Sequence, residues 1–333
     1  MYKPILGILL GDSAGVGAEL IAKVSASNFL NENCKPILIG DIRIFRRALD
    51  IIKADIEIQV IDDVAEINWG KGLPFLDQKN QDPKNEVFGK LSATSGKASM
   101  EMLKNGIALW KSGKIDGYVF GPLNKSAMHE AGLKFESEHH YIANLLGHTE
   151  PFGEINVTNG LYTTRTTSHI PIKAVSDNLT LKSIGRAIRL SYNTLKNAGV
   201  ENPIIGIAGL NPHNGENGEC GREEIDVIEP AIKEARKMGI DARGPYPSDI
   251  VFHKALVKQE FHSVVTMYHD QGQIALKLIG FEGGITVAGG FPIPIVTCGH
   301  GTAYDIAGTG EVSTASFENA IIQCAKMAYV NRE

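Results

Sequence analysis

The chain has 333 residues, a length typical of about two domains, and its 43% hydrophobic and 21% charged residues are those of an ordinary globular protein. The 33 basic and 38 acidic residues give a formal net charge of −5, and neither sign forms a long run, which argues against nucleic acid or a membrane surface as a partner. The first apolar segment is too short to span a membrane and has no signal-peptide cleavage pattern, so we expect a cytoplasmic protein.

Short apolar runs alternate with amphipathic segments along the chain, a pattern that predicts an α/β fold with a largely parallel sheet. The predicted strands cover residues 5–10, 36–39, 115–120, 204–208 and 263–267. The predicted helices cover residues 19–24, 43–51, 95–110, 181–198 and 230–238. Residues 62–86 are polar and weakly periodic, and we predict a loop there.

The four cysteines are widely spaced and include no CxxC pair. This spacing argues against a disulfide framework and against a thiolate zinc site. We therefore expect reduced thiols, most of them structural. They are Cys34, Cys220, Cys298 and Cys324.

Three histidines lie in polar loops that follow predicted strands, where open α/β sheets place their ligands. His169 belongs to a TTSHIP segment, His213 to GLNPHNG and His269 to MYHDQG. Three neutral imidazoles from separate loops would bind a divalent cation and leave coordination positions for a substrate. The alternative for each is a surface histidine or a hydrogen-bonded core group.

Charged residues near the same loops suggest further roles. Asp249 and Asp270 would relay a proton or orient a ligand histidine, or would simply cap helices. Lys277, eight residues after His269, would bind a carboxylate or phosphate, although an exposed helical lysine is the common case.

Two further segments have a binding and a structural interpretation. The GHTE segment at residues 147–150 offers an imidazole and a hydroxyl to an anionic substrate, but by itself it favours a helix end with a capped turn. The glycine-rich loop at 11–17 lacks both the GxGxxG spacing and a following Lys-Ser/Thr, so it is weak support for a nucleotide. Residues 299–310 contain four glycines in twelve positions, which leave backbone amides open to a ligand or form a turn.

In this order, the motifs GHTE, SHIP, GLNPHNGE, MYHDQG and HGTAYDIAG resemble those of the 4-hydroxythreonine-4-phosphate dehydrogenase family, within the isocitrate and isopropylmalate dehydrogenase-like group. The resemblance implies two α/β/α domains with a cleft between them. It implies a discontinuous first domain, 1–133 plus 300–333, and a second domain, 134–299, with the metal ligands and dimer contacts. It also implies a homodimer whose active site is completed by the partner subunit.

The resemblance also assigns roles to residues. His169, His213 and His269 match the ligands of a divalent metal ion such as Zn, Mg, Mn or Co. His148, Thr149 and Lys277 match substrate-binding positions, and Asp249, Asp270 and Lys125 are alternative candidates for proton transfer. The HGTAYDIAG segment resembles the loop around the adenosine of the cofactor, NAD or NADP. Its candidate residues are Gly301, Thr302, Ala303, Tyr304 and Asp305.

Two positions depart from the biosynthetic enzymes of this family. Those enzymes carry an asparagine and an arginine as substrate contacts where this chain has Thr286 and Ile295, and losing the arginine removes a bidentate donor. The HDQGQIALK and GGFPIPI segments resemble the branch of 4-phospho-D-threonate or 4-phospho-D-erythronate 3-dehydrogenases.

The expected activity is therefore NAD-linked, metal-dependent oxidation of the substrate C3 hydroxyl, with decarboxylation to dihydroxyacetone phosphate. The alternative is the 4-hydroxythreonine-4-phosphate dehydrogenase reaction of pyridoxal phosphate biosynthesis. A non-enzymatic binding protein would have lost a metal ligand or the glycine-rich loop, and both are present.

Overall fold

The computed structural model describes residues 2–280 and 282–331, and these form two compact units. The first unit comprises residues 1–149 and 291–333, and the second comprises residues 150–290. The sequence placed the two boundaries near 133 and 300. The first boundary lies later because the helix at 138–146 packs on the first unit, where the Lys111 ammonium donates to the Leu145 carbonyl and the Tyr141 hydroxyl donates to the Met100 carbonyl.

The N-terminal part of the first unit alternates strands and helices. Its strands are β1 (Ile5–Leu9), β2 (Lys35–Gly40), β3 (Ile58–Ile61), β4 (Leu73–Asp77) and β5 (Gly117–Phe120). Its helices are α1 (Gly17–Ala26), α2 (Phe29–Asn33), α3 (Ile42–Ile52), α4 (Ala93–Lys111), α5 (Lys125–Glu130) and α6 (Glu138–Leu146).

The second unit follows directly. Its strands are β6 (Gly153–Thr158), β7 (Leu161–Arg165), β8 (Ile204–Ala208), β9 (Asp241–Tyr246), β10 (Ser263–Thr266) and β11 (Ile285–Gly289). Its helices are α7 (Val175–Asn178), α8 (Leu181–Asn197), α9 (Glu229–Lys237), α10 (Ser248–Leu256) and α11 (His269–Gly280). The chain then returns to the first unit with β12 (Ile295–Cys298) and α12 (Ala315–Val330).

The sheet confirms the α/β prediction. In the first unit the strand order is β3-β4-β2-β1-β5-β12, and every neighbouring pair is parallel. In the second unit the order is β11-β6-β7-β10-β8-β9, and β6 runs antiparallel to both β11 and β7. Strands β7, β10, β8 and β9 are parallel, and buried aliphatic residues fill the strands, as expected for a sheet covered by helices.

Local signals explain several helix boundaries. Thr180 caps α8 in a reciprocal capping box with Ser183, and Gly199 follows the helix with a φ of 84°. The predicted helix at 230 begins earlier, because a π-helical turn over Glu224–Ile228 leads into α9.

The predicted loop at 62–86 was wrong in part, since it contains β4. This strand, LPFLD, is a short apolar run without regular alternation, and its proline argues against a central strand in a sequence-based prediction. In the fold it nevertheless pairs with both β2 and β3.

The cysteines are unpaired, as expected. Three of them are buried, whereas Cys220 is exposed. Among the described residues, no helix combines the length and the apolar character that crossing a bilayer requires.

Candidate active site

The three candidate metal histidines follow three neighbouring strands of the second unit. His169 lies after β7, His213 after β8, and His269 after β10 at the start of α11, and these strands pair in the order β7-β10-β8 with the same direction. Parallel strands present their carboxyl ends at one edge of a sheet. The fold therefore places the three histidine loops side by side, although 44 and 56 residues separate them in sequence.

Hydrogen bonds tie these loops to one another. The backbone amide and the hydroxyl of Thr167 both donate to the Met267 carbonyl, at 3.1 and 2.8 Å. Gln271 accepts from the Met267 amide at 2.7 Å and donates to the Gly209 carbonyl at 2.8 Å. The loops that carry His169, His269 and His213 are thus coupled through main-chain atoms.

The structure brings two of the three imidazoles together. The ring centroids of His169 and His269 are 5.7 Å apart, whereas the side chain of His213 is 72% exposed. Within residues 2–280 and 282–331, no group of three or more His, Cys, Asp or Glu side chains is close enough to hold a metal ion. The joint ligation predicted from the sequence stays a prediction.

The donors nevertheless suit a divalent cation. The Nδ1 atom of His269 contacts Asp270 Oδ1 at 2.6 Å, and the Nδ1 atom of His213 contacts Glu216 Oε1 at 2.6 Å. Such carboxylate–histidine pairs orient the ring and leave Nε2 for a metal. Hydrogen bonding and charge from Glu216 also raise the pKa of His213. For Asp270, this contact favours the role of orienting a ligand histidine over proton relay or helix capping.

The loop of His213 has an unusual backbone. The residues from 213 to 217 all have positive φ, between 44° and 76°, a region that costs energy for residues other than glycine. The buried carboxylate of Glu224 holds the start of this loop, because it accepts from the amides of Leu210 and Asn211 at 2.7 Å each. Backbone strain that the surrounding contacts maintain is characteristic of functional loops.

The remaining candidates of the second unit are dispersed. Asp249 is exposed in the first turn of α10, with its charge close enough to contribute to the raised pKa of His213. Lys277 is exposed on α11. Thr286 is buried in β11, where its hydroxyl accepts a hydrogen bond from Asn156 Nδ2 at 3.1 Å.

The GHTE segment begins at a helix end, as its residues favoured. Gly147 ends α6 with a φ of 70°, and the His148 amide donates to the Ala143 carbonyl at 2.9 Å. The ring of His148 meets Phe291 edge-on at 5.2 Å, and Thr149 is exposed. This geometry supports the structural interpretation and leaves the substrate-binding role as a prediction.

The glycine-rich loop of 299–310 sits at the carboxyl edge of the first unit, after β12. It lies against the loop that follows β1: the Val16 amide donates to the Thr302 carbonyl at 3.0 Å, and a Cβ atom on Gly15 would lie 2.7 Å from that carbonyl. Buried Glu19 accepts from the amides of Gly308 and Gly310 at 2.6 and 2.7 Å. The loop is therefore anchored at both ends.

Of the cofactor candidates, Tyr304 has its hydroxyl in an internal network. It donates to Asp12 Oδ2 at 2.6 Å and accepts from Asn124 Nδ2 at 2.9 Å. Burial and the Asp12 carboxylate raise the pKa of Tyr304. Gly301 and Asp305 are exposed, and Ala303 has a φ of 44°. Tyr304 therefore fixes the loop, and the exposed positions are the ones open to a ligand.

Lys125 begins α5 beside a buried carboxylate. Its Nζ atom lies 3.7 Å from Glu138 Oε2. Although burial opposes ionisation, the His139 hydrogen bond and the nearby charges of His139 and Lys125 lower the pKa of Glu138 to about 2. Glu138 is therefore an anion at neutral pH and holds the Lys125 ammonium near it.

Ile295, one of the two positions that the sequence singled out as departures, is fully buried in β12. Its side chain is part of the core and makes no polar contact. Four residues that hold the candidate loops and strands in place were not predicted: Gln271, Glu224, Glu19 and Asn156. Apart from the contact of Gln271 with Met267, their partners lie 9 or more residues away in sequence.

Comparisons with known proteins show which family this chain resembles over its length. The model of the family "Pyridoxal phosphate biosynthetic protein PdxA" matches residues 32–324. A Pseudomonas aeruginosa protein named "Putative 4-hydroxythreonine-4-phosphate dehydrogenase 2" is 42% identical over 97% of both chains. A Clostridium botulinum protein named "Putative D-threonate 4-phosphate dehydrogenase" is 37% identical over 97% of both. A crystal structure of a 4-hydroxythreonine-4-phosphate dehydrogenase from Burkholderia phymatum shares 36% identity with a TM-score of 0.84, covering 98% of this chain and 99% of the other.

Proposed function

This chain belongs to the PdxA family of NAD-dependent dehydrogenases, and on that premise we propose that it oxidises the C3 hydroxyl of a 4-phosphorylated four-carbon acid, 4-phospho-D-threonate or 4-phospho-D-erythronate. The proposal rests on the three histidine loops, which follow the neighbouring strands β7, β10 and β8 and are linked by hydrogen bonds. In addition, a carboxylate contacts the Nδ1 atom of His269 and another contacts that of His213. Open α/β sheets bind their ligands at this edge.

The reaction has two steps, an oxidation and a decarboxylation. The C3 hydroxyl loses its proton to a base and the C3 carbon transfers its hydrogen as a hydride to the nicotinamide, which gives a 3-keto acid and the reduced cofactor. The C1 carboxylate of that β-keto acid then leaves as carbon dioxide, and protonation at C2 gives dihydroxyacetone phosphate.

Side chains of the protein would hold the metal ion, orient its ligands and transfer the proton. His169, His213 and His269 would hold a divalent cation, which lowers the pKa of a bound hydroxyl and stabilises negative charge on oxygen. Asp270 and Glu216 orient two of these rings. Asp249 and Lys125 are the remaining candidates for moving the proton, since the Asp270 carboxylate is in contact with His269.

The hydroxyl of Thr286 favours a sugar acid over the amino-acid phosphate as the substrate. It stands where the biosynthetic enzymes of the family carry an asparagine, and it is already hydrogen bonded to Asn156. The relative named for D-threonate 4-phosphate supports the same choice.

The second candidate function is oxidation of 4-hydroxy-L-threonine-4-phosphate. The names of the Pseudomonas aeruginosa relative and of the Burkholderia phymatum structure favour it. Both substrates carry a phosphate and a C3 hydroxyl, and they differ in the substituent at C2.

We also propose a homodimer in which the partner subunit completes the active site. Helix α11, which begins with His269, exposes Ile274 by 61% and Leu278 by 84%. These residues lie one turn apart on the same helix face. Sedimentation of the wild type and of Leu278→Asp tests this, and a monomeric wild type would contradict it.

The deciding experiment is reduction of NAD by the purified, metal-loaded protein with the three phosphorylated acids in parallel. We expect faster turnover of a sugar acid, with dihydroxyacetone phosphate detected by a coupled enzyme. A preference for the amino-acid phosphate would establish the second candidate instead. His213→Ala is expected to abolish turnover, and full activity in that variant would contradict the metal-dependent mechanism.

A further inference from the structure

A connected set of polar side chains lies on the sheet face that packs against α11 in the second unit. Antiparallel pairing places Asn156 of β6 directly opposite Thr286 of β11 and opposite Thr163 of β7. Side chains two residues apart on a strand share a face, so Glu154 and Arg165 point the same way. Gln273 reaches this set from α11.

Asn156 is the centre of this set. Its Oδ1 atom accepts from Arg165 Nη1 at 3.0 Å and from Gln273 Nε2 at 2.7 Å, and its Nδ2 atom donates to Thr286 Oγ1 at 3.1 Å. One carboxamide therefore links the strand before His169, the helix that begins at His269, and the candidate substrate residue Thr286.

The orientation of this carboxamide is fixed. A guanidinium has only donors, so rotating the amide by half a turn would set the Asn156 NH2 group against Arg165. Arg165 is itself held, because its Nε atom donates to Ser168 Oγ at 3.0 Å and its Nη2 atom pairs with Glu154. Its side chain is only 9% exposed, so water does not compete for these contacts.

The Thr286 hydroxyl is polarised as a result. One of its lone pairs accepts from the Asn156 amide, and the hydroxyl hydrogen must therefore point away from that amide. Chained hydrogen bonds strengthen one another, and this chain starts at a guanidinium and ends at the Thr286 hydroxyl. The charge on Arg165 thus makes Thr286 a better donor.

We propose that Asn156 is a specificity-determining positioning residue, which orients Thr286 to donate a hydrogen bond to the C2 substituent of the substrate and so favours a hydroxyl over an ammonium group there. A hydroxyl accepts such a bond, whereas an ammonium group has only donors. The inference rests on the proposed function, because it needs Thr286 to contact the substrate.

The test is Asn156→Asp. The aspartate keeps an acceptor for Arg165 and Gln273 but presents a second carboxylate oxygen to Thr286. The hydroxyl then donates to that oxygen and turns its lone pairs toward the substrate. The measured quantity is the ratio of kcat/KM for 4-phospho-D-threonate to kcat/KM for 4-hydroxy-L-threonine-4-phosphate. We expect this ratio to fall by roughly tenfold, the effect of one hydrogen bond to a charged group.

Two comparisons isolate the effect. Asn193→Asp makes the same chemical change on the exposed face of α8, and we expect it to leave the ratio unchanged. In a Thr286→Val background, Asn156→Asp is expected to have no further effect on the ratio, since the hydroxyl is gone. If Asn156→Asp does not fold, Thr286→Val alone must lower the ratio.

The outcomes separate the inference from the proposed function. Equal loss of kcat/KM on both substrates in Asn156→Asp, with the ratio unchanged, would make Asn156 merely structural and would overturn the inference alone. A wild type that binds neither substrate in calorimetry and oxidises neither would overturn the proposed function, and the inference with it.

Discussion

The carboxylate of Glu19 anchors the glycine-rich loop, and its removal gives the sharpest prediction for the first unit. Its side chain is 1% exposed, and its two oxygens accept from the amides of Gly308 and Gly310 at 2.6 and 2.7 Å. In Glu19→Gln one oxygen remains, but the new NH2 group faces a backbone N–H. One charge-assisted hydrogen bond is lost and a buried donor is left unsatisfied.

The expected cost follows from those contacts. A hydrogen bond to a charged group contributes about 1.5–3 kcal/mol, and an unsatisfied buried donor costs about 1–3 kcal/mol. Together these contributions predict that Glu19→Gln lowers the free energy of unfolding by about 2.5–6 kcal/mol. Because the loop is the candidate cofactor site, we also expect KM for NAD to rise more than kcat falls.

Urea unfolding and steady-state kinetics measure these two effects. The matched control is Glu311→Gln, which changes an exposed glutamate near the end of the same loop. Surface substitutions usually change the free energy of unfolding by no more than about 0.5 kcal/mol, and we expect the same here. The reasoning is refuted if Glu19→Gln unfolds at the same urea concentration as Glu311→Gln.

Three further predictions concern separate features. Asp270→Asn weakens the acceptor on Nδ1 of His269, so we expect metal affinity to fall by about 10–100-fold, measured by calorimetry; unchanged affinity would show that the Asp270 contact does not orient a metal ligand. The folded-state pKa of Glu138 is about 2, below the usual 4.5, so its ionised form stabilises the fold fully above pH 4.5 and this contribution disappears as the pH falls toward 2. The difference in unfolding free energy between wild type and Glu138→Gln should shrink over that range, and a constant difference would contradict the assignment. Cys220 is the exposed thiol, so Cys220→Ser should remove the fast phase of labelling by a thiol reagent in the native protein; a fast phase that persists would mean that a buried cysteine is accessible.

Periodicity and turn residues were sufficient to predict most of the framework. The apolar runs at β1, β8 and β10 and the amphipathic helix α8, with Thr180 before it and Gly199 after it, lie where the sequence places them. These signals are local, because a buried strand or a capped helix depends on residues that are adjacent in the chain. Strand β4 was missed because its pairing partners, β2 and β3, decide its conformation.

The sequence by itself also determined the family, since five motifs in a fixed order identify it without any coordinates. Tertiary structure decided which residues of those motifs cooperate. The pairing order β7-β10-β8 brings the histidine loops to one edge, and Gln271 joins two of them across 62 residues of chain. Asn156 and Thr286 meet across 130 residues. Contacts of this range depend on which strands pair and in which direction, and hydrophobic periodicity, which is a local signal, does not identify the pairing partners.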